Sequence, residues 1–191
     1  VPKQMLANLA FRRKVLEEAK GSPSAQEELW KMCNRDIFFY VNVFGYTLDP
    51  RLDPAARPFI LYPFQEEAID AMCESIDEGH DLAMVKPLKS LLLFSRKEGL
   101  VDSPGNSASL FAKIDFFLEH LPGWLVPNLT RTKLRLTNDD NGSAITGEST
   151  TGDVARGDRK TCIALDEFAS VENGGQVLAA TADAANTRWF I

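Results

Sequence analysis

The chain has little of the chemistry on which metal centres and disulfide frameworks depend. Its 191 residues include three cysteines, Cys33, Cys73 and Cys162, and no two of them stand at C-x-x-C spacing. Neither a zinc site nor a disulfide framework is therefore indicated, and we expect each cysteine to be a small core residue. The two histidines, His80 and His120, have no carboxylate or cysteine at ligand spacing, and we assign them no chemistry.

Long hydrophobic runs and an excess of positive charge are also missing. The apolar runs fall well short of the roughly 18 residues that a membrane-spanning helix needs, and the charged N-terminus lacks a signal-peptide core. We therefore expect an intracellular protein. The formal net charge of −6 argues against a domain that coats nucleic acid, since phosphate neutralisation requires clustered lysine and arginine. Contact with DNA through one local patch stays compatible with this charge.

The chain begins with helical patterns and a proline-rich linker. Met5, Leu6 and Leu9 stand near helical spacing within residues 3–20, and Ser24 opens a second helix with a capping-box pattern. Three prolines within residues 49–58 then interrupt the periodicity. We expect an N-terminal helical segment with its linker at residues 1–57 and a core at residues 58–191.

Helices and strands alternate in the expected core. The patterns predict, in order, a helix over 65–78 capped by Gly79, strands at 82–85 and 91–94, a helix over 107–121, a hairpin of 133–137 with 144–146, and late strands at 162–165 and from 187 onward. This alternation is typical of an α/β fold in which helices flank a mostly parallel sheet.

The connection between the first two core strands does not fit this architecture. Parallel neighbours need a crossover of about a dozen residues or more, whereas residues 87–90 supply four. Either the two strands form an antiparallel hairpin, or residues are absent between them in the sequence. The favoured hairpin turns contain Gly, Asn or Asp, and none of these occurs here, so we favour absent residues.

An apolar strand that ends in two adjacent carboxylates is a candidate for chemistry. The residues Ile163-Ala164-Leu165 lead directly into Asp166 and Glu167, as in a Walker B element. In that arrangement Asp166 can bind a Mg²⁺ ion that bridges nucleotide phosphates, while Glu167 can orient and polarise the attacking water. The alternative is a strand that happens to finish in acidic loop residues, and the pentapeptide alone leaves both open.

Two further stretches could complete a nucleotide site. Gln65 follows Phe64 just before the first core strand, where its amide could contact adenine while the Phe64 ring lies against the base. A core phenylalanine and a helix-opening glutamine are the simpler interpretation of this pair. Arg156 and Arg159 lie in a Gly-rich loop, where a guanidinium could stabilise charge on a transferred phosphoryl group or could simply be solvated.

Five stretches, taken in order, resemble the ATPase domain of the large terminase subunit, the DNA-packaging motor of tailed bacteriophages. They are NRDIFFYVNVFGYTLDPR, FILYPFQEEAID, LLFSRKEGLVDSPGNSASLFAKIDFFLEHLPGW, ITGESTTGDVARGDR and CIALDEFAS. The resemblance implies a RecA-like ASCE P-loop core that hydrolyses Mg-ATP and thereby translocates double-stranded DNA into a procapsid. It also implies a homo-oligomeric ring on the portal protein, a small terminase subunit as partner, no membrane, and action in the host cell cytoplasm.

The resemblance assigns a role to each candidate: adenine binding to Gln65 and Phe64, Mg²⁺ binding to Asp166, general-base catalysis to Glu167, and the arginine finger to Arg156, with Arg159 in reserve. Lys86 stands where several terminases place the phosphate-loop lysine. Cradling phosphates requires the backbone N–H groups of a Gly-rich loop, and the residues after Lys86 offer no glycine before Leu91. Absent residues would explain this departure as well as the short connection.

Two other interpretations of the motifs stay open. A DNA helicase or another RecA-like translocase would also use a glutamine and an Asp-Glu pair, but it leaves SRKEGLVDSPGN unexplained. The other is a degenerate P-loop fold that serves assembly without hydrolysing ATP. This interpretation accounts directly for the missing phosphate loop. Terminase subunits of this kind continue into a Ser/Thr-rich coupling motif and a nuclease domain, so we expect a motor domain without its nuclease.

Overall fold

The computed structural model describes residues 1–83, 102, 109–148, 159–166, 168–171 and 173–191. These residues form a mixed α/β structure, which confirms the α/β class. The helices are α1 (Met5–Ala19), α2 (Pro23–Arg35), α3 (Ile37–Phe44), α4 (Pro63–Glu78), α5 (Leu110–Glu119) and α6 (Gly174–Thr181). The strands are β1 (Tyr46–Leu48), β2 (Ala56–Pro58), β3 (Leu82–Ala83), β4 (Leu129–Thr132), β5 (Arg135–Asn138), β6 (Ala144–Thr146), β7 (Lys160–Leu165) and β8 (Ala185–Phe190).

The chain divides into two compact units. The first unit comprises Val1–Tyr62 and Asp102–Thr146, and the second comprises Pro63–Val101 and Gly147–Ile191. The division expected from the sequence has its boundary at residue 57 and assigns all later residues to the core. In the structure, residues 102–146 group instead with the N-terminal residues. No helix in the described ranges combines the length and the apolar character that a membrane span requires.

The first unit is built on the aromatic helix α3. The carboxylate of Asp36 caps this helix by accepting a hydrogen bond from the N–H of Phe39 at 2.9 Å. At its other end, a Cβ on Gly45 would lie 2.7 Å from the ring of Phe117, so the close approach there requires glycine. The buried core around α3 consists of Val15, Phe39, Val43, Phe44, Leu121 and Leu125.

A buried polar network joins α1 to α3 inside the same unit. Arg12 is 2% exposed and donates to the side chain of Asn8 at 2.6 Å. It also donates to the carbonyl oxygens of Gly45 at 2.7 Å and of Asn42 at 2.9 Å. The side-chain oxygen of Asn42 accepts from the N–H of Leu61 at 2.8 Å. Burial lowers the pKa of the Arg12 guanidinium.

Two antiparallel sheets complete the first unit. The segment expected to be a linker contains β2, which pairs antiparallel with β1 just before that segment. The expected hairpin is confirmed, because β5 pairs antiparallel with β6 around a turn in which Gly142 has φ 75°. The sequence did not predict β4, which pairs antiparallel with β5 and forms the third strand of that sheet.

The second unit contains a parallel sheet with the strand order β3-β8-β7. In β3, Ala83 stands opposite Phe190 of β8, and Phe190 stands in turn opposite Leu165 of β7. The three strands therefore end at the same edge of the sheet, which we call the carboxyl edge. The predicted strand at 91–94 and the connection at 87–90 lie outside the described residues.

Helices lie against both faces of this sheet. Consecutive side chains of a strand point to opposite faces, so the hydrogen bonds of β8 identify the helix on each side. On one face, Thr187 donates to the carbonyl oxygen of Ser75 in α4, and the indole N–H of Trp189 donates to the Ser75 hydroxyl, each at 2.8 Å. On the other face, Arg188 donates to the carbonyl oxygen of Leu178 in α6 at 3.0 Å. The predicted cap at Gly79 is confirmed by its φ of 70°.

Candidate functional site

The strand β7 places Asp166 at the carboxyl edge of the parallel sheet. Leu165, the last residue of β7, is buried opposite Phe190, and Asp166 follows directly and is half-buried. Open α/β sheets bind their ligands in the crevice outside the carboxyl ends of the strands. Asp166 therefore lies where a ligand of this sheet is expected. Its neighbour Glu167 lies outside the described residues.

Two backbone hydrogen bonds hold the chain on both sides of Asp166. The N–H of Ile191 donates to the carbonyl oxygen of Leu165 at 3.0 Å, and the N–H of Phe168 donates to the carbonyl oxygen of Ile191 at 3.1 Å. Phe168 opens a short 3₁₀ helix, Phe168–Ser170. Leu165 and Phe168, on either side of Asp166, are thus both hydrogen-bonded to Ile191, the residue that follows β8.

The predicted adenine-binding residues lie in the first turn of α4. Three residues, 79–81, separate the end of α4 from the start of β3, so the chain reverses direction between them. Because α4 therefore runs opposite to β3, the first turn of α4 lies on the side of the carboxyl edge. Gln65 stands ten residues before Ser75, which is about 15 Å along the helix axis. At 3% exposure the Gln65 side chain is enclosed by protein, and the half-buried Phe64 is the more accessible of the two.

The structure places Arg159 away from Asp166. Arg159 directly precedes β7, and its guanidinium donates to the side-chain oxygen of Asn186 at 3.4 Å. Because the whole of β7 separates the two residues, their Cα atoms lie about 20 Å apart. Arg159 therefore cannot reach a phosphate group held at Asp166 of the same chain. Arg156, the first candidate for the arginine finger, and Lys86 lie outside the described residues.

The donor set at the carboxyl edge suits one kind of metal site. In the described part of the chain, no group of three or more His, Cys, Asp or Glu side chains could hold an ion. Magnesium prefers oxygen ligands and usually takes one or two carboxylates together with water and substrate phosphates. The half-buried carboxylate of Asp166 therefore fits a Mg²⁺ ion that arrives with a nucleotide. Among the described residues, no further side chains complete a site for an ion held by protein ligands alone.

An aromatic and ionic stack supports this edge, and the sequence analysis missed it. The rings of Phe168 and Phe190 have centroids 5.1 Å apart, and the Arg188 guanidinium lies 5.4 Å from the Phe190 centroid. Arg188 forms an ion pair with Asp81, and its hydrogen bonds lower the pKa of that carboxyl group. The one available sequence signal was the phenylalanine that directly follows the Asp-Glu pair.

Comparison with known proteins adds no assignment. No protein-family model matches the chain, and no curated protein matches it either. Function is therefore inferred from the motifs of the sequence and from the geometry of the second unit.

Proposed function

We propose that the chain is the ATPase motor domain of a phage large terminase, which couples Mg-ATP hydrolysis to the translocation of double-stranded DNA into a procapsid. The observation that carries the proposal is the position of Asp166 at the carboxyl edge of a parallel sheet. In a RecA-like ASCE core, an additional strand separates the phosphate-loop strand from the Walker B strand. The strand order supports this assignment, because β8 lies between β7 and β3, the strand that precedes Lys86.

Each candidate residue has a distinct role in the proposed reaction. Asp166 would hold a Mg²⁺ ion that arrives with the nucleotide, and Glu167 would orient the attacking water and accept its proton. Lys86 places a positive charge beside the phosphates, while Gln65 and Phe64 hold the adenine. When bound, Mg-ATP supplies the phosphoanhydride bond that is cleaved. The half-buried position of Asp166 at the end of β7 is compatible with this role.

The proposed partners follow from the resemblance, and the placement of Arg159 is compatible with a ring. We propose a homo-oligomeric ring that works on the portal protein of the procapsid, together with a small terminase subunit, in the host cell cytoplasm. Arg156 is the proposed finger. If Arg159 serves instead, it must act on the nucleotide of a neighbouring subunit, because β7 separates it from Asp166 of its own chain. A ring provides such a neighbour.

Mg²⁺-dependent ATP hydrolysis by purified protein tests the proposal. We expect Glu167→Gln to lower turnover by about 100-fold or more, since a positioned general base contributes at least that much. We expect a loss of at least similar size in Asp166→Asn, because it removes the charged oxygen that would bind the Mg²⁺ ion. The matched control is Asp183→Asn, which removes the same charge from an exposed position of the second unit and should leave turnover unchanged. Full turnover in Glu167→Gln would contradict the proposal.

Two further results would select among the interpretations of the motifs. Stimulation of turnover by procapsids carrying portal protein supports the packaging motor, whereas stimulation by a DNA fork supports a helicase. Failure of the wild-type protein to bind Mg-ATP would reject both enzymes and leave an assembly module.

A further inference from the structure

We infer that Phe168 is a positioning residue for magnesium: through Phe190 and Ile191 it holds the carboxylate of Asp166 where the ion of a bound nucleotide must lie. The inference rests on the proposed function, and it concerns a residue to which neither the Walker B pattern nor the terminase resemblance gives a role.

The first argument comes from the backbone. Phe168 is the first described residue after Asp166, and its N–H donates to the carbonyl oxygen of Ile191 at 3.1 Å. On the other flank, the N–H of Ile191 donates to the carbonyl oxygen of Leu165 at 3.0 Å. The chain is thus hydrogen-bonded to Ile191 on either side of Asp166, and a shift of Phe168 would move one of these two attachments.

The second argument comes from the ring of Phe168. It meets the Phe190 ring at a centroid distance of 5.1 Å and an interplanar angle of 60°, within the range of favourable aromatic pairs. Phe190 is held in turn by the guanidinium of Arg188, which Asp81 anchors. On another side, a Cβ on Gly174 would lie 3.5 Å from the Phe168 ring, which is ordinary contact distance. The ring therefore contacts β8 and faces the start of α6.

The geometry of magnesium makes this packing matter. The ion requires nearly ideal octahedral coordination, with oxygen distances of about 2.0–2.1 Å. Within the described ranges no cluster of ligating side chains could compensate for a displaced Asp166. Residues that orient a metal ligand typically change metal affinity about 10-fold to 100-fold when they are replaced. We expect an effect of this size from the loss of the Phe168 ring.

The experiment measures binding of a fluorescent N-methylanthraniloyl derivative of ATP as the Mg²⁺ concentration is raised. We expect Phe168→Ala to raise the Mg²⁺ concentration for half-maximal binding by about 10-fold or more, with the full amplitude reached at high Mg²⁺. Phe168→Tyr keeps the ring and should behave like the wild type. The control is Thr187→Val, which alters the opposite face of the same sheet and should not shift the Mg²⁺ requirement.

The outcomes separate this inference from the proposed function. An unchanged Mg²⁺ requirement in Phe168→Ala would overturn the inference and leave the ATPase proposal standing. A reduced amplitude without a shift would assign Phe168 to fold stability alone and would also overturn it. A wild-type protein that binds no nucleotide at any Mg²⁺ concentration would overturn both. If Phe168→Ala does not fold, Phe168→Leu is measured with the same expectation, since it keeps apolar volume but loses the ring.

Discussion

The two units of the chain treat buried polar groups differently. The first unit encloses a cation, and the hydrogen bonds of Arg12 go to neutral oxygen acceptors such as the Asn8 side chain and the Gly45 carbonyl. The second unit buries neutral hydroxyl groups, those of Ser75 and Thr187, and leaves its carboxylate Asp166 half-buried at an edge. A buried cation whose hydrogen-bond partners are all within the protein stabilises the fold, whereas a carboxylate at the edge of a sheet is accessible for binding a ligand.

The largest expected effect comes from removing the enclosed cation. Arg12→Ala empties the buried space of a long side chain and removes the guanidinium donors of the Gly45 and Asn42 carbonyl oxygens, each of which keeps one other donor. We therefore expect the free energy of unfolding of the first unit to fall by about 3–5 kcal/mol. Urea unfolding followed by Trp124 fluorescence, in a variant with no other tryptophan, measures this change. The control is Arg13→Ala on the exposed side of α1, with an expected change below about 0.5 kcal/mol. Similar losses of unfolding free energy in Arg12→Ala and Arg13→Ala would contradict the stabilising role of the enclosed cation in the first unit.

A smaller effect is expected from the hydroxyl network of the second unit. The Ser75 hydroxyl accepts from the indole N–H of Trp189, so Ser75→Ala leaves a donor without its acceptor and should cost about 1–3 kcal/mol. Thr187→Val keeps its shape, and the Ser75 carbonyl retains two backbone donors, so we expect a loss of about 1 kcal/mol or less. Urea unfolding followed by Trp189 fluorescence compares the two. A larger loss in Thr187→Val than in Ser75→Ala would contradict this ranking of the two hydroxyl groups.

The smallest effect concerns the ion pair between Asp81 and Arg188. Its hydrogen bonds lower the folded-state pKa of Asp81, so the pair stabilises the fold above the unfolded pKa of about 4, and this stabilisation is lost as the pH falls through the folded pKa. Because Asp81 is exposed, we expect less than about 1 kcal/mol at pH 7.

The free energy of unfolding of wild type and Asp81→Asn, measured at pH 7 and pH 3, tests this expectation. The difference between the two proteins should shrink at pH 3, and an equal difference at both pH values would contradict the assignment. The Arg12 network contains no carboxylate among its hydrogen-bond partners and should not share this acid dependence.

Local patterns predicted several elements of the fold but not the buried side of α1. The spacing of Leu6 and Leu9 indicated a helix, and the helix is present, yet these side chains are 82% and 40% exposed. The buried side of α1 carries Asn8, Arg12 and Val15. The spacing of apolar residues indicates that a helix forms, but it does not show which side of the helix is buried. Here the buried side is the one from which Arg12 donates hydrogen bonds to the carbonyl oxygens at the end of α3.

The candidate site was also predicted only in part from local patterns. Strand hydrophobicity followed by acidic residues was enough to place Asp166 at the end of a strand, because both features are local in sequence. The attachment of Phe168 to Phe190 and Ile191 was not visible, because it depends on the parallel register between β7 and β8. No local pattern encodes that register, since side chains distant in sequence select it when the sheet packs.

Sequence alone was sufficient for the α/β class, the Gly79 cap and the acidic end of β7, because each depends on backbone preferences and on neighbours within a few residues. The tertiary structure decided the strand order, the grouping of residues 102–146 with the first unit, and the separation of Arg159 from Asp166. These features arise from contacts between residues far apart in the chain, whose free energies exist only once the elements have packed together.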